Sequence, residues 1–245
     1  MSPPLANQVA VVTGAGRGIG RALARGYANA GAVVVCVART EREILETAAA
    51  ITAAGNQAVA MACDVTDVSA VDTVFRRIGE MYGGMDMVVL NAGMDAEPAR
   101  VEDSRPTVWT RVLEVNLFGA YYCARAAIPL LKRRGGGQIL MMGSGLGHHG
   151  RARHSAYASS KAGLWMLTRV LADELVGDHI SVNEIIPGPV ETGMAGSIVD
   201  PNSVFSVESE WIKRPEDVVP LALFLATHPK PGPTGQSFSL MRRTV

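Results

Sequence analysis

The chain has 245 residues, 23 of them basic and 23 acidic, so its formal net charge is zero. Hydrophobic residues make up 48% of it, enough to build a core and to exclude a disordered chain. The neutral balance, with only 5% aromatic residues, argues against a general binder of nucleic acid or of anionic membrane.

Residues 9–12, Val-Ala-Val-Val, form a short apolar run stopped by Thr13 and glycines, which predicts a buried strand. Helical spacing follows over 19–30, with Gly31 as the stop. A β-branched strand over 33–37 precedes a helix over 41–54 that ends at Gly55. Residues 59–62 predict a third strand, followed by Asp64 and a polar turn. An amphipathic helix over 68–82 closes at Gly83-Gly84. A fourth strand over 87–90 ends at Asn91-Ala92-Gly93.

Residues 109–134 predict one long helix, kinked or broken at Pro129. A fifth strand covers 138–142, a helix 155–176, and a sixth strand 180–185, stopped by Pro187-Gly188-Pro189. Residues 190–212 lack a clear period and read as a substrate flap, in which Met194, Ile198 and Trp211 could line an apolar pocket. A helix over 215–227 and a strand over 236–240 complete the chain.

Strands alternating with helices predict an α/β fold: a Rossmann-like, doubly wound parallel sheet of about seven strands, with helices on both faces. Crossovers should be right-handed. No shift in composition and no linker divides the chain, so residues 1–245 are expected to form a single domain. No run of eighteen apolar residues predicts a transmembrane helix, and the first residues lack the features of a secretory leader. A cytoplasmic protein is the expectation. Cys36, Cys63 and Cys123 lie far apart in apolar surroundings and read as buried free thiols, without metal-ligand spacing.

The segment Thr13-Gly14-Ala15-Gly16-Arg17-Gly18-Ile19-Gly20 joins the first strand to the first helix. That is where a doubly wound sheet binds the pyrophosphate of a dinucleotide. Glycines let the backbone approach the phosphates, and the helix start offers free N–H groups and a favourable dipole. The spacing is Gly-x-x-x-Gly-x-Gly, because Ile19 stands where the last glycine of G-x-G-x-x-G would fall. The second strand runs into Ala38-Arg39-Thr40, with no acid before Glu41 to hold a ribose 2′-hydroxyl. Arg39 offers a planar partner for a 2′-phosphate, and Arg17 a second positive charge. The expected cofactor is therefore NADP(H) in preference to NAD(H).

Tyr157 and Lys161, four residues apart, project from one helical face. An ammonium beside the phenol would lower its pKa and suit the pair to proton transfer at an alcohol oxygen. Ser144 follows the fifth strand and could hydrogen-bond a substrate carbonyl.

The chain resembles the short-chain dehydrogenase/reductase family over nearly its whole length. The resemblance rests on Thr13-Gly14-x-x-x-Gly18-x-Gly20, Asn91-Ala92-Gly93, Asn116, Ser144, Tyr157-x-x-x-Lys161, Asn183, and Pro187-Gly188 with Thr192. It implies a general acid/base role for Tyr157, carbonyl positioning for Ser144 and ribose binding for Lys161. Asn116 would hold a water in a proton relay to Lys161. Asp64 and Val65 would contact adenine, and Asn91 to Gly93 would flank its ribose. Val190 and Thr192 would meet the carboxamide and phosphates. It also implies a homo-oligomer, tetramer or dimer, and a small carbonyl or alcohol as substrate.

Within the family the chain is similar in length and loop sequence to 3-oxoacyl-carrier-protein reductases. These dock an acidic carrier through basic residues on two helices. Lys132-Arg133-Arg134 suits one, but Asp173-Glu174 stands where a base is expected on the other. Sugars or polyols, steroids, diketones and secondary alcohols are the other substrate classes, and a non-catalytic NADP-binding sensor is the rival function. His148-His149-Gly150-Arg151-Ala152-Arg153-His154 lies between Ser144 and Tyr157, where it would border a substrate or a subunit contact. The C-terminal Arg242-Arg243 departs from the family's usual ending and reads as a solvated basic end.

Overall fold

The computed structural model describes residues 2–96, 98–192, 211–229 and 232–242. One sheet of seven parallel strands runs in the order β3-β2-β1-β4-β5-β6-β7. The strands are β1 (Val9–Thr13), β2 (Val33–Ala38), β3 (Ala58–Ala62), β4 (Met87–Leu90), β5 (Gly137–Met142), β6 (Ile180–Ile186) and β7 (Ser237–Ser239). The helices are α1 (Gly18–Asn29), α2 (Glu41–Ala53), α3 (Val68–Tyr82), α4 (Pro106–Leu113), α5 (Gly119–Arg133), α6 (Ser155–Leu175) and α7 (Val219–Ala226).

The apolar runs become central strands because both faces of the sheet are covered. In β1, Val9 and Val11 join one core with Phe75, Ile78, Leu130, Leu164 and Leu175 of α3, α5 and α6. Ala10 and Val12 point the other way, into a core with Leu23, Tyr27, Ile44, Ile51 and Leu225 of α1, α2 and α7. The period of two is thus present but hidden, since both sets are apolar. Local chemistry sets the ends: Asp67 caps α3 by accepting from the Ser69 and Ala70 N–H groups at 2.9 and 3.1 Å. Strand order reverses between β1 and β4, which opens a crevice at their carboxyl ends.

The long helix differs from its expectation. It starts at Pro106 and continues through Pro129 without a break. The irregularity lies instead at Glu114–Phe118, one turn of π-helix between α4 and α5. Asn116 explains it: turned inward and 1% exposed, its side chain bonds the Met94 backbone, which fixes an extra residue in the turn. The last helix opens as a 3-10 turn over Pro215–Val218, and the last strand is shorter than expected. Residues 193–210, with Met194 and Ile198, lie outside the described residues, as does Arg243. At the flanks of that stretch, Val190 pairs with Lys213 in a parallel bridge. The three cysteines are free and buried, and burial pushes Cys36 up to about 12 and Cys63 to about 11. Among the described residues no helix is long and apolar enough to cross a membrane.

Candidate active site

The crevice at the β1–β4 switch is a cleft of about 500 Å³. Every residue expected to bind a dinucleotide lines it except Gly20, which lies beneath the loop. Gly14 adopts φ +67, a left-handed conformation that side chains disfavour. A β-carbon on Gly20 would fall 2.1 Å from the Gly14 carbonyl oxygen, so the loop can fold flat on α1 only with glycine there. Thr13 and Asn91 lock the loop to β4. The Asn91 and Ala92 N–H groups both donate to Thr13 Oγ1 at 3.0 Å, and Asn91 Nδ2 donates to the Thr13 carbonyl at 3.0 Å.

Arg17 and Arg39 are both exposed and border the cleft. Glu43 also borders it, against Gly16, and escaped the sequence reading because it sits one turn into α2. Asp64 accepts from the Thr66 N–H at 3.0 Å and pairs with Arg111 of α4 at 3.2 Å. Partial burial works against its charged form, but the Thr66 and Arg111 contacts outweigh it and hold the carboxyl below its ordinary value. The Arg111 tie spans 47 residues and leaves no pattern in the sequence.

Tyr157 and Lys161 of α6 line the cleft; Ser144, which begins the 3-10 turn after β5, bonds the Tyr157 phenol, and Asn116 of the π turn meets Lys161 at Gly93. Asn116 Nδ2 donates to the Met94 carbonyl at 2.9 Å and to Ser160 Oγ at 3.0 Å. Lys161 is buried, and its Nζ donates to the Met142 carbonyl at 2.8 Å. It lies 5.6 Å from the Tyr157 ring centroid. Burial lowers Lys161 to about 8, while the carboxylates of Glu184 and Asp95 act in the opposite sense. The phenol does not move down as the Tyr-Lys spacing suggested. Burial pushes Tyr157 up to about 12, against a hydrogen bond from Ser144 that lowers it. The lysine has turned to a carbonyl, so desolvation decides the tyrosine's direction.

A second cavity, of about 230 Å³, opens on the far side of Tyr157. Asp95, Arg105, Trp109 and His154 line it. His154 is 5% exposed and its Nδ1 has no hydrogen-bond partner. Burial lowers its imidazole, and burial raises the Asp95 carboxyl. Of the histidine- and arginine-rich segment, Arg153 and His154 line this cavity, His148 turns inward to Glu184, and His149 and Arg151 are exposed.

The family model for short chain dehydrogenases matches residues 8–203. The chain is 34% identical to cis-4-hydroxycyclohexanecarboxylate dehydrogenase of Sinomonas cyclohexanicum, covering 93% of this chain and 92% of that protein. It is 34% identical to the chloroplastic NADPH-dependent aldehyde reductase 2 of Arabidopsis thaliana, covering 92% and 90%. Among solved structures, a candidate NAD(P)-dependent gluconate 5-dehydrogenase of Beutenbergia cavernae, with NADP bound at low occupancy, superposes with a TM-score of 0.88. It is 34% identical, with 97% of this chain and 96% of that one covered.

Proposed function

Because the chain belongs to the short-chain dehydrogenase/reductase family, we propose that it interconverts a ketone and a secondary alcohol with NADP(H), using Tyr157 as general acid/base. The observation that carries this reading is Tyr157, which lines both the glycine-lined cleft and the second cavity, with Lys161 in the cleft, Ser144 bonded to the phenol and Asn116 beside Lys161 at Gly93. The cleft suits a dinucleotide: Gly14, Gly16 and Gly18 line it at the start of α1, so the loop offers backbone without side chains to a pyrophosphate. A bound nicotinamide supplies hydride chemistry at the substrate carbon.

The chain's own residues do the rest. Gly14 to Gly20 seat the pyrophosphate at the start of α1, and Lys161 holds the nicotinamide ribose. Ser144 directs the substrate oxygen toward Tyr157. With its phenol pushed up to about 12, Tyr157 carries its proton at neutral pH. It is therefore ready to donate that proton to the oxygen as a carbonyl is reduced. The ammonium of Lys161, at about 8, is the first of these charges to be lost as pH rises. Reduction should hold through neutral pH and decline above about pH 8, with no separate loss near the ordinary tyrosine value. A profile of kcat/KM from pH 6 to 10 checks this, and a flat profile would remove Lys161 from the reaction.

NADP(H) is favoured by Arg39 just after β2, with Arg17 lining the same cleft, and is in keeping with the NADPH-dependent Arabidopsis relative and the NADP-bound neighbour. Arg39→Asp should weaken NADPH relative to NADH by about tenfold to a hundredfold, the loss of one charge-assisted contact of about 1.5–3 kcal/mol. Fluorescence titration with both cofactors measures it; an unchanged ratio would end the assignment.

Turnover tests the whole reading. NADPH consumption is followed with an acetoacetyl thioester, a keto sugar, a steroid ketone and a diketone, each beside Tyr157→Phe. A fall of at least about a hundredfold in the variant supports the reading, and turnover at the wild-type rate rejects it. The carrier-protein substrate gains little support, since Asp173-Glu174 stands where a base is expected on the second helix and Lys132 already has a surface partner in Asp178 at 2.7 Å. Self-association is part of the proposal: Phe118 and Tyr121 around the start of α5, and Met166 and Val170 on α6, expose apolar side chains on neighbouring elements. Light scattering of the purified protein measures it.

A further inference from the structure

Glu184 is fully buried in β6, at a position where a small or apolar residue would satisfy the sheet. A buried carboxylate is unfavourable unless something compensates its charge. Ser237 Oγ of β7 donates to its Oε2 at 2.5 Å, and His148 Nε2 lies 3.0 Å from the same oxygen. The other oxygen, Oε1, is buried with no hydrogen-bond partner. It presses on Gly143, where a β-carbon would fall 1.9 Å from it. Gly143 lies between Met142, whose carbonyl takes the Lys161 ammonium at 2.8 Å, and Ser144.

His148 ends the 3-10 turn Gly145–Gly147 that Ser144 begins. That turn rests directly on Lys161: a β-carbon at Gly147 would fall 2.8 Å from the Lys161 backbone. Trp165, one turn along α6, meets the His148 ring edge-on at 5.1 Å. Both ends of the serine turn are thus tied, one to the lysine and one to the carboxylate.

We propose that Glu184 and His148 form a positioning pair for the reaction centre. The pair clips the Ser144 turn to the sheet, and its carboxylate is the buried negative charge that keeps Lys161 an ammonium. The other titratable groups facing Lys161 are Asp95 from the loop after β4 and Tyr157 on α6, with His154 beyond Asp95. Lys213 approaches from the far side of Gly188, its Nζ donating to the Trp211 carbonyl. Asp95 borders the second cavity and is only half-buried, so among the described residues Glu184 is the one carboxylate fully buried behind the lysine. The inference rests on the proposed role of Lys161 at the cofactor ribose.

The test is NADPH affinity by fluorescence titration from pH 6.5 to 9.5, which requires no substrate. Wild type should weaken above about pH 8 as Lys161 loses its proton. In Glu184→Gln, nearly the same shape without the charge, the weakening should begin about one pH unit lower. The variant should bind about fivefold to tenfold more weakly at pH 8, with the gap narrowing toward pH 6.5. Glu184→Ser removes the carboxylate with less crowding on Gly143 and serves if the glutamine variant does not fold. Superimposable pH curves would overturn the charge role. His148→Asn should leave the pH midpoint in place but speed amide exchange in residues 143–148; unchanged exchange would overturn the clip. A wild type that binds no NADPH at any pH would overturn the cofactor reading and this inference with it.

Discussion

Tyr157→Phe will lower turnover by about a hundredfold to ten-thousandfold, the usual contribution of a positioned proton donor, while NADPH affinity changes by no more than a few-fold. The phenol borders the second cavity, and only its hydroxyl is lost. The ring that packs against its surroundings is retained, so folding is unaffected. Comparison of kcat with the cofactor Kd separates the two effects. A variant that loses both together would mean that Tyr157 holds the cleft open and moves no proton. Because burial keeps the phenol protonated at neutral pH, the deficit should be present throughout the range from pH 6 to 9 for carbonyl reduction. For alcohol oxidation the same residue must first lose its proton, so the wild-type rate in that direction should climb with pH until Lys161 fails.

Gly20→Ala will disable the cleft by a different route. The added β-carbon would stand 2.1 Å from the Gly14 carbonyl oxygen, 2.5 Å from Asn91 Nδ2 and 2.7 Å from the Gly14 carbonyl carbon. Two of those three atoms are backbone, and the third belongs to the side chain that ties the loop to β4. None can yield by a simple rotation. Relief requires the loop to lift from α1, which breaks the clasp between Thr13 and Asn91 and spoils the phosphate seat. Overpacking of this kind costs about 1–3 kcal/mol, which for a chain of this size lowers the melting temperature by about 2–10 °C. NADPH affinity should fall by more than tenfold. Calorimetry of the free protein and titration of the cofactor measure the two losses, and full affinity in a destabilised variant would show that the loop tolerates displacement.

The two variants draw on different parts of the structure. Tyr157→Phe tests a group whose surroundings were assembled from three distant segments. Gly20→Ala tests a turn whose residues are consecutive, and this difference matches what could be read in advance. The strands, most helices and the glycine loop were legible because they are local: an apolar run of five, a period of 3.6 and a cluster of glycines each act within a few residues. Even the parallel sheet follows locally, since Val-rich runs such as 9–12 and 33–37 suit strands covered on both faces.

The chain therefore determined by itself its strands and most of its helices, the glycine loop, the spacing of Tyr157 and Lys161, and its family. Tertiary structure decided the rest, because each remaining feature joins residues far apart in the chain. The turn at Asn116 is set by Met94 and Ser160, 22 and 44 residues away. Arg111 reaches Asp64 across 47 residues. Glu184 meets His148 across 36 residues, and neither residue announces the other in the sequence. The direction of the Tyr157 phenol also belongs to this class. A four-residue spacing sets which side chains share a helical face, but desolvation depends on everything folded around them.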